Sequence, residues 1–177
     1  MKKYAIELIF DEESQKKINK IREVLSSSGV HDEAVPTNHV SIADFETDDL
    51  EGLKVKVNEF ANRVHKFKLN LVTAGTFMTK ENVIFLQPIM TDELMSIHKT
   101  FLDSMKDFNG KANEYYNHNK WVPHCTIAIR LSDEELIKGF ETLKSISFLP
   151  LEVTVDKIDI LNYPSPYVQE YIVDIKD

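Results

Sequence analysis

A chain of 177 residues is long enough for one domain with a real core, or for two small halves sharing one, and its 42% hydrophobic and 28% charged residues are ordinary for a folded globular protein. Its net charge of −8 argues against a general nucleic-acid binder, whose phosphate contacts need a basic surface, but leaves room for a small phosphorylated ligand in a local basic cleft. No apolar run approaches the roughly 18 residues of a membrane span, and the single cysteine, Cys125, excludes an internal disulfide and fits a reducing compartment.

The opening stretch, MKKYAIELIFDEES, starts like a signal peptide, but its apolar run is short, Glu7 interrupts it and no small-residue cleavage site follows. It is expected to be the first strand, residues 3–10, of a cytoplasmic protein, with Tyr4, Ile6, Leu8 and Phe10 on one face. Ile18, Ile21, Val24 and Leu25 then predict a helix over 12–27, closed by three serines and Gly29. A second strand is expected over 35–45. Leu50, Leu53, Val57, Phe60, Ala61 and Val64 predict a helix over 48–66 behind an acidic start. Strands over 68–76 and 82–89 are joined by the hairpin-like MTKE, where Lys80 is expected to be a solvated turn residue. Thr91 caps a helix running to about 107, with the stripe Leu94, Ile97, Phe101, Leu102 and Met105. Polar residues 109–120 predict a loop, 121–131 a strand, and Ser132 the cap of a helix over 133–144. Strands over 151–160 and 168–175 close the chain.

Strands alternating with helices, but with hairpin-like pairs among them, predict an α+β fold with mixed or antiparallel sheets rather than a doubly wound parallel one. With only five glycines and no G-x-G-x-x-G or G-x-x-x-x-G-K-[ST], a glycine-cradled phosphate site is not expected.

One short pattern occurs twice. HVSIA at 39–43 and HCTIA at 124–128 share His, Ile and Ala, match Val with Cys, and match Ser with Thr. The copies lie 85 residues apart (39 to 124), nearly half the chain, and each is followed by an acid-led stretch of helical spacing at the same offset. Strand alternation places His39, Ser41, Ala43 and Phe45 on one face and Val40 and Ile42 on the other. The second copy likewise groups His124, Thr126, Ala128 and Arg130 against Cys125, Ile127 and Ile129. If a pseudo-two-fold relates the halves, two imidazoles, two hydroxyls and one guanidinium meet in one cleft. A bland alternative is a duplicated fold that kept two buried histidines, but each would then need a hydrogen-bond partner in the core.

Two histidines with ordinary pKa near 6.5 can divide the work of general base and general acid at neutral pH, while hydroxyls donate hydrogen bonds to the non-bridging oxygens of a phosphoryl group. The arrangement suits metal-free phosphodiester chemistry. The paired H-h-[ST]-h motifs resemble the two-histidine (2H) phosphoesterase superfamily, and within it the bacterial 2′-5′ RNA ligase-like and cyclic phosphodiesterase branch. The resemblance is specific only at HVSI and HCTI. It implies a bilobal, pseudo-two-fold α+β duplicate, two mostly antiparallel sheets flanked by helices around a central cleft, with 1–177 as a single domain. It also implies hydrolysis of 2′,3′-cyclic phosphates, or reversible formation of 2′-5′ bonds, without a cofactor or metal. His39 and His124 would be the acid–base pair, and Ser41 and Thr126 would hold the phosphate. The acidic net charge favours a small nucleotide or an RNA end over long nucleic acid.

Arg130 has the strand parity for a phosphate contact, and Phe10, Phe45 and Tyr163 are candidates to stack on a base, although aromatics in strands more often fill cores. His31, His65, His98 and His118 match no template and are expected on the surface. Cys125 points away from the histidine face, as a small buried apolar residue would. A zinc site lacks the ligand spacing, a serine hydrolase lacks G-x-S-x-G, and a non-catalytic nucleotide-binding module remains the alternative from another class. The near-equivalence of the two copies leaves open which histidine is acid and which is base.

Overall fold

The computed structural model describes residues 1–177 except 32, 34–36 and 165. The chain runs β1 (Lys2–Phe10), α1 (Glu12–Ser27), β2 (His39–Thr47), α2 (Leu50–Ala61), β3 (Phe67–Gly75), β4 (Asn82–Pro88), α3 (Asp92–Ser104), β5 (Lys111–Ala112), a 3-10 turn (Glu114–Tyr116), β6 (Cys125–Leu131), α4 (Asp133–Ile146), β7 (Leu151–Tyr163) and β8 (Val168–Asp174). The expected start of the second strand, at 35 and 36, lies outside the described residues.

Side-chain caps set the helix starts. Asp11, Asp49, Thr91 and Ser132 each accept from a backbone N–H of the first turn, and Ser132 with Glu135 completes a reciprocal capping box. The second helix stops at Ala61, short of the expected 66, because the chain beyond it pairs elsewhere: Lys66 N donates to Lys176 O at 2.8 Å and Lys176 N to Val64 O at 3.3 Å. The sixth strand starts at Cys125 rather than 121, just after Pro123, which has no N–H to give a ladder.

The α+β class is as expected, but the described strands form one continuous eight-stranded sheet, not two. Its order is β5-β2-β1-β7-β3-β4-β6, with β8 on β7, and every strand pairing is antiparallel. The 13-residue β7 makes the sheet continuous: residues 155–163 pair with β1, and residues 151–155 pair with β3. The helices α1 and α4 touch each other, packing on β7 and β6 and on β4 and β6 respectively, while α2 packs on β7, β8 and α3. Among the described residues no helix is long and apolar enough to cross a membrane.

Although β2 and β6 stand near opposite ends of that order, they meet, and the Cys125 thiol sits against the backbone of His39. The sheet therefore curls, and the two repeated motifs come together. Both strands carry a bulge at the same place. Pairing with β1 jumps from Ile6↔Ala43 to Glu7↔Ser41, leaving Ile42 unpaired, and pairing of β6 with β4 jumps from Ile84↔Ala128 to Phe85↔Thr126, leaving Ile127 unpaired.

A bulge adds one residue and resets the alternation beyond it. His39 and Ser41 are half-buried while Val40 and Ile42 are core, as predicted, but Ala43 and Phe45 then join the core instead of the histidine face. Ala128 is likewise fully buried. Phe45 packs edge-on against Phe108 with centroids 5.6 Å apart, and Phe10 is 2% exposed in the same core. Neither phenyl ring offers a free stacking face, which corrects their placement as substrate contacts.

Gly75 lies opposite Phe85 across β3 and β4, and a Cβ there would stand 2.7 Å from Phe85 Cε2. The Phe85 ring has little freedom to give way, wedged against Phe77 at 4.6 Å and His124 at 5.2 Å. Gly75→Ala is expected to cost about 1–3 kcal/mol as an overpacking change, seen as a lower urea midpoint at unchanged slope. A midpoint equal to wild type would mean that the ring moves freely.

Candidate active site

The two histidines are presented in the same way. His39 Nδ1 lies 2.8 Å from Thr37 O and His124 Nδ1 lies 2.7 Å from Val122 O, in each case the carbonyl two residues upstream. A carbonyl only accepts, so Nδ1 holds the proton, and in the neutral ring the lone pair falls on Nε2. The residue before each histidine is also fixed, by different means. Asn38, 1% exposed, is gripped by one stripe of α1: Gln15 Oε1 accepts from its N and Nδ2 at 2.9 and 2.8 Å, Asn19 Oδ1 accepts from Nδ2 at 2.8 Å, and Arg22 Nη1 donates to its Oδ1 at 3.1 Å. At the corresponding position the Pro123 ring fixes φ.

The neighbours break this symmetry. Opposite Ser41 on β1 stands Glu7, and opposite Glu7 on β7 stands Asp159; opposite Thr126 on β4 stands Phe85, and opposite Phe85 on β3 stands Gly75. His39 Nε2 is 3.2 Å from Glu7 Oε1. His124 instead faces the rings of Phe77 at 4.9 Å and Phe85 at 5.2 Å.

Burial pushes the Glu7 carboxyl up to about 8, against a hydrogen bond from Asp159 that lowers it. Burial, reinforced by Glu7, pushes Asp159 up to about 7. Among the described residues Glu7 Oε2 and Asp159 Oδ1 have no hydrogen-bond partner, while Asp159 Oδ2 accepts from Gln169 Nε2 at 2.9 Å. Burial also lowers both imidazoles from their ordinary value, and the proximity of His39 adds to the lowering at His124.

The connection from β5 to β6 closes over this cleft and is tied to β2. Asn113 donates from N to Asp44 O at 2.9 Å and from Nδ2 to Asp44 Oδ2 at 3.0 Å, Tyr116 reaches the Ser41 hydroxyl, and Trp121 Nε1 donates to Ser41 O at 3.0 Å. A cavity of about 330 Å³ beside His124 is lined by Phe77, Tyr115, Tyr116, Trp121 and Val122. A second, of about 240 Å³, is lined by Glu7, Asp44, Tyr116, Tyr163 and Tyr167. The described residues hold no group of three or more His, Cys, Asp or Glu able to ligate a metal.

The meeting of β2 and β6 thus brings the strands of His39–Ser41 and His124–Thr126 together, and Tyr163 lines a nearby cavity with its hydroxyl donating to Asp44. Arg130 does not join them. It sits at a second bulge with φ of 60°, so strand parity no longer sets its direction, and it is spent on an exposed ion pair with Glu33 at 2.8 Å. Cys125 is fully buried, with its thiol pushed up to about 12 by burial, in line with an inert core position.

His98 corrects the expectation of a surface residue: it is fully buried and stacked on Trp121 at 3.8 Å, so it supports the closing segment from behind. His31, His65 and His118 are exposed. Glu7, Asp159, Tyr116 and Trp121 were not singled out from sequence as site residues. For the first two a signal existed, a lone carboxylate inside each of the otherwise apolar runs YAIELIF and IDIL.

The model of the 2′-5′ RNA ligase superfamily matches residues 10–165. A protein of Bacillus cytotoxicus, provisionally named a phosphoesterase, is 30% identical over 133 residues, covering 74% of this chain and 73% of its own. One of Staphylococcus haemolyticus with a similar name is 26% identical over 126 residues, covering 71% and 68%. Among solved structures, TT0787 of Thermus thermophilus superposes with a TM-score of 0.67 at 12% identity, over 98% of each chain. LigT of Escherichia coli in complex with 3′-AMP superposes with a TM-score of 0.62 at 13% identity, over 99% of each chain. At such identities the last two establish the fold alone.

The raised carboxyls carry a stability consequence. The folded chain keeps protons on Glu7 and Asp159 that the unfolded chain releases near pH 4, so their contribution to stability falls as pH rises from about 4 to 8. The melting temperature of wild type should decline across that window, and Glu7→Gln/Asp159→Asn should flatten the decline and be the more stable protein at pH 8. Parallel curves would show that the carboxyls carry no such penalty.

Proposed function

This chain belongs to the 2′-5′ RNA ligase superfamily, and on that footing we propose that it is a phosphodiesterase acting on 2′,3′-cyclic phosphates or 2′-5′ phosphodiester bonds of nucleotides or RNA ends. The observation that carries the reading is the duplicated carbonyl latch, which engages Nδ1 and turns Nε2 away from the main chain on two strands that meet, with His39 Nε2 3.2 Å from Glu7 Oε1. One Nε2 takes a proton from the attacking water as its oxygen bonds to phosphorus. The other gives a proton to the ribose oxygen as the P–O bond breaks. The Ser41 and Thr126 hydroxyls, one on each side, donate to the non-bridging oxygens, where negative charge grows. With a 5′-hydroxyl in place of water, the same groups join a 2′,3′-cyclic end through a 2′-5′ linkage, as the bond to the 3′ oxygen breaks and that oxygen takes the proton.

The substrate is small. The aromatic cavity beside His124 has the volume and the flat walls, from Phe77, Tyr115, Tyr116 and Trp121, to take one nucleobase. The net charge of −8 disfavours a long polyanion. That LigT of Escherichia coli has been crystallised with 3′-AMP and with phosphate supports a nucleotide-sized ligand in a fold of this shape.

The test is turnover of a panel of 2′,3′-cyclic nucleotides and 2′-5′-linked dinucleotides. His39→Ala and His124→Ala are each expected to lower kcat by about 10²–10⁴, and Ser41→Ala or Thr126→Ala by about 10²–10³. No turnover of any substrate by the wild type would sink the proposal. Full turnover by either histidine variant would sink the mechanism.

A further inference from the structure

The two halves of the cleft differ at one register position, and the difference is a buried carboxyl pair. Across the sheet, Ser41, Glu7 and Asp159 stand side by side in one half, where the other half has Thr126, Phe85 and Gly75. Glu7 and Asp159 are 3% and 1% exposed and stand directly opposite each other in the ladder, and among the described residues each keeps one oxygen without a hydrogen-bond partner. Two adjacent carboxylates cannot both ionise there at low cost, so at neutral pH a proton stays on the pair. That proton lies one contact from His39, whose Nε2 is 3.2 Å from Glu7 Oε1. Among the described residues no carboxyl is paired with His124, whose imidazole stands instead beside the rings of Phe77 and Phe85.

We infer that Glu7 and Asp159 are positioning residues that hold a shared proton for His39, making His39 the proton donor and His124 the proton acceptor of the hydrolysis proposed above. The assignment of roles rests on that proposal; the proton store does not. In a turnover, His124 Nε2 removes a proton from water, whose oxygen bonds to phosphorus. The P–O bond breaks, and the ribose oxygen takes the proton from His39 Nε2. The carboxyl pair then returns a proton to His39, His124 releases its own to solvent, and solvent refills the pair, so that one water is consumed and no proton is lost.

The other groups facing this cluster do not replace the pair. Arg22 of α1 disfavours a charged His39, His124 is a second basic group, and the Cys125 thiol and Tyr116 phenol both stay neutral at pH 7, with Gln169 of β8 donating to Asp159.

The experiment uses the full chain and the near-isosteric double variant Glu7→Gln/Asp159→Asn, which keeps the shape and removes the stored proton and charge. Histidine ring resonances are followed by NMR against pH without substrate, assigned with His39→Ala and His124→Ala, and kcat/KM for 2′,3′-cyclic AMP is measured over the same range. The titration of His39 should move to lower pH by about one unit or more while that of His124 stays. The alkaline limb of kcat/KM should move with it and the acidic limb should not.

The inference is overturned if His39 titrates as in wild type, if both histidines shift together, or if the acidic limb is the one that moves. A wild type that turns over no cyclic nucleotide, with His39 still shifting in the double variant, would remove the proposed function and leave the proton store standing.

Discussion

Everything at the cleft depends on one hydrogen bond made twice, from a histidine Nδ1–H to the carbonyl two residues before it. It sets the tautomer, limits ring rotation and leaves the Nε2 lone pair of the neutral ring turned away from the main chain at both positions. Its geometry requires the chain before each histidine to be held still. The halves solve this differently, with the Gln15–Asn19–Arg22 stripe gripping Asn38 on one side and the ring of Pro123 on the other. A backbone latch works with either support because it reads only the local path of the main chain.

The second constraint is the pair of bulges at Ile42 and Ile127. Each lets a strand show a histidine and a hydroxyl to the cleft and then return its next residues to the core. These bulges explain both what was legible in the sequence and what was not. The repeat of His-apolar-hydroxyl-apolar was visible because it needs only local alternation, and so were the strands, helices and caps around it. The bulges were not, since neither HVSIADF nor HCTIAIR carries a glycine or proline to mark the extra residue. Strict alternation carried past Ile42 put Phe45 on the wrong face.

His98 is buried for a different reason. It stands at helical spacing with Leu94 and Phe101, on the buried stripe of α3, so the period gave its burial away. Its stacking partner, Trp121, could not be read locally. Glu7 and Asp159 were each visible as a charge in an apolar strand, but their meeting depends on a pairing between residues 152 positions apart (7 to 159). Long-range register of this sort leaves no periodic trace, and it is one of the features that distinguish the two half-sites.

In the proposed mechanism His39 and His124 address one phosphate from two sides. The most direct measurement is a titration of inorganic phosphate followed at the ring protons of both histidines in a single NMR series. Both sets of resonances should move along one saturation curve, with a common Kd. A response from one histidine alone, or two curves with different midpoints, would contradict a shared site.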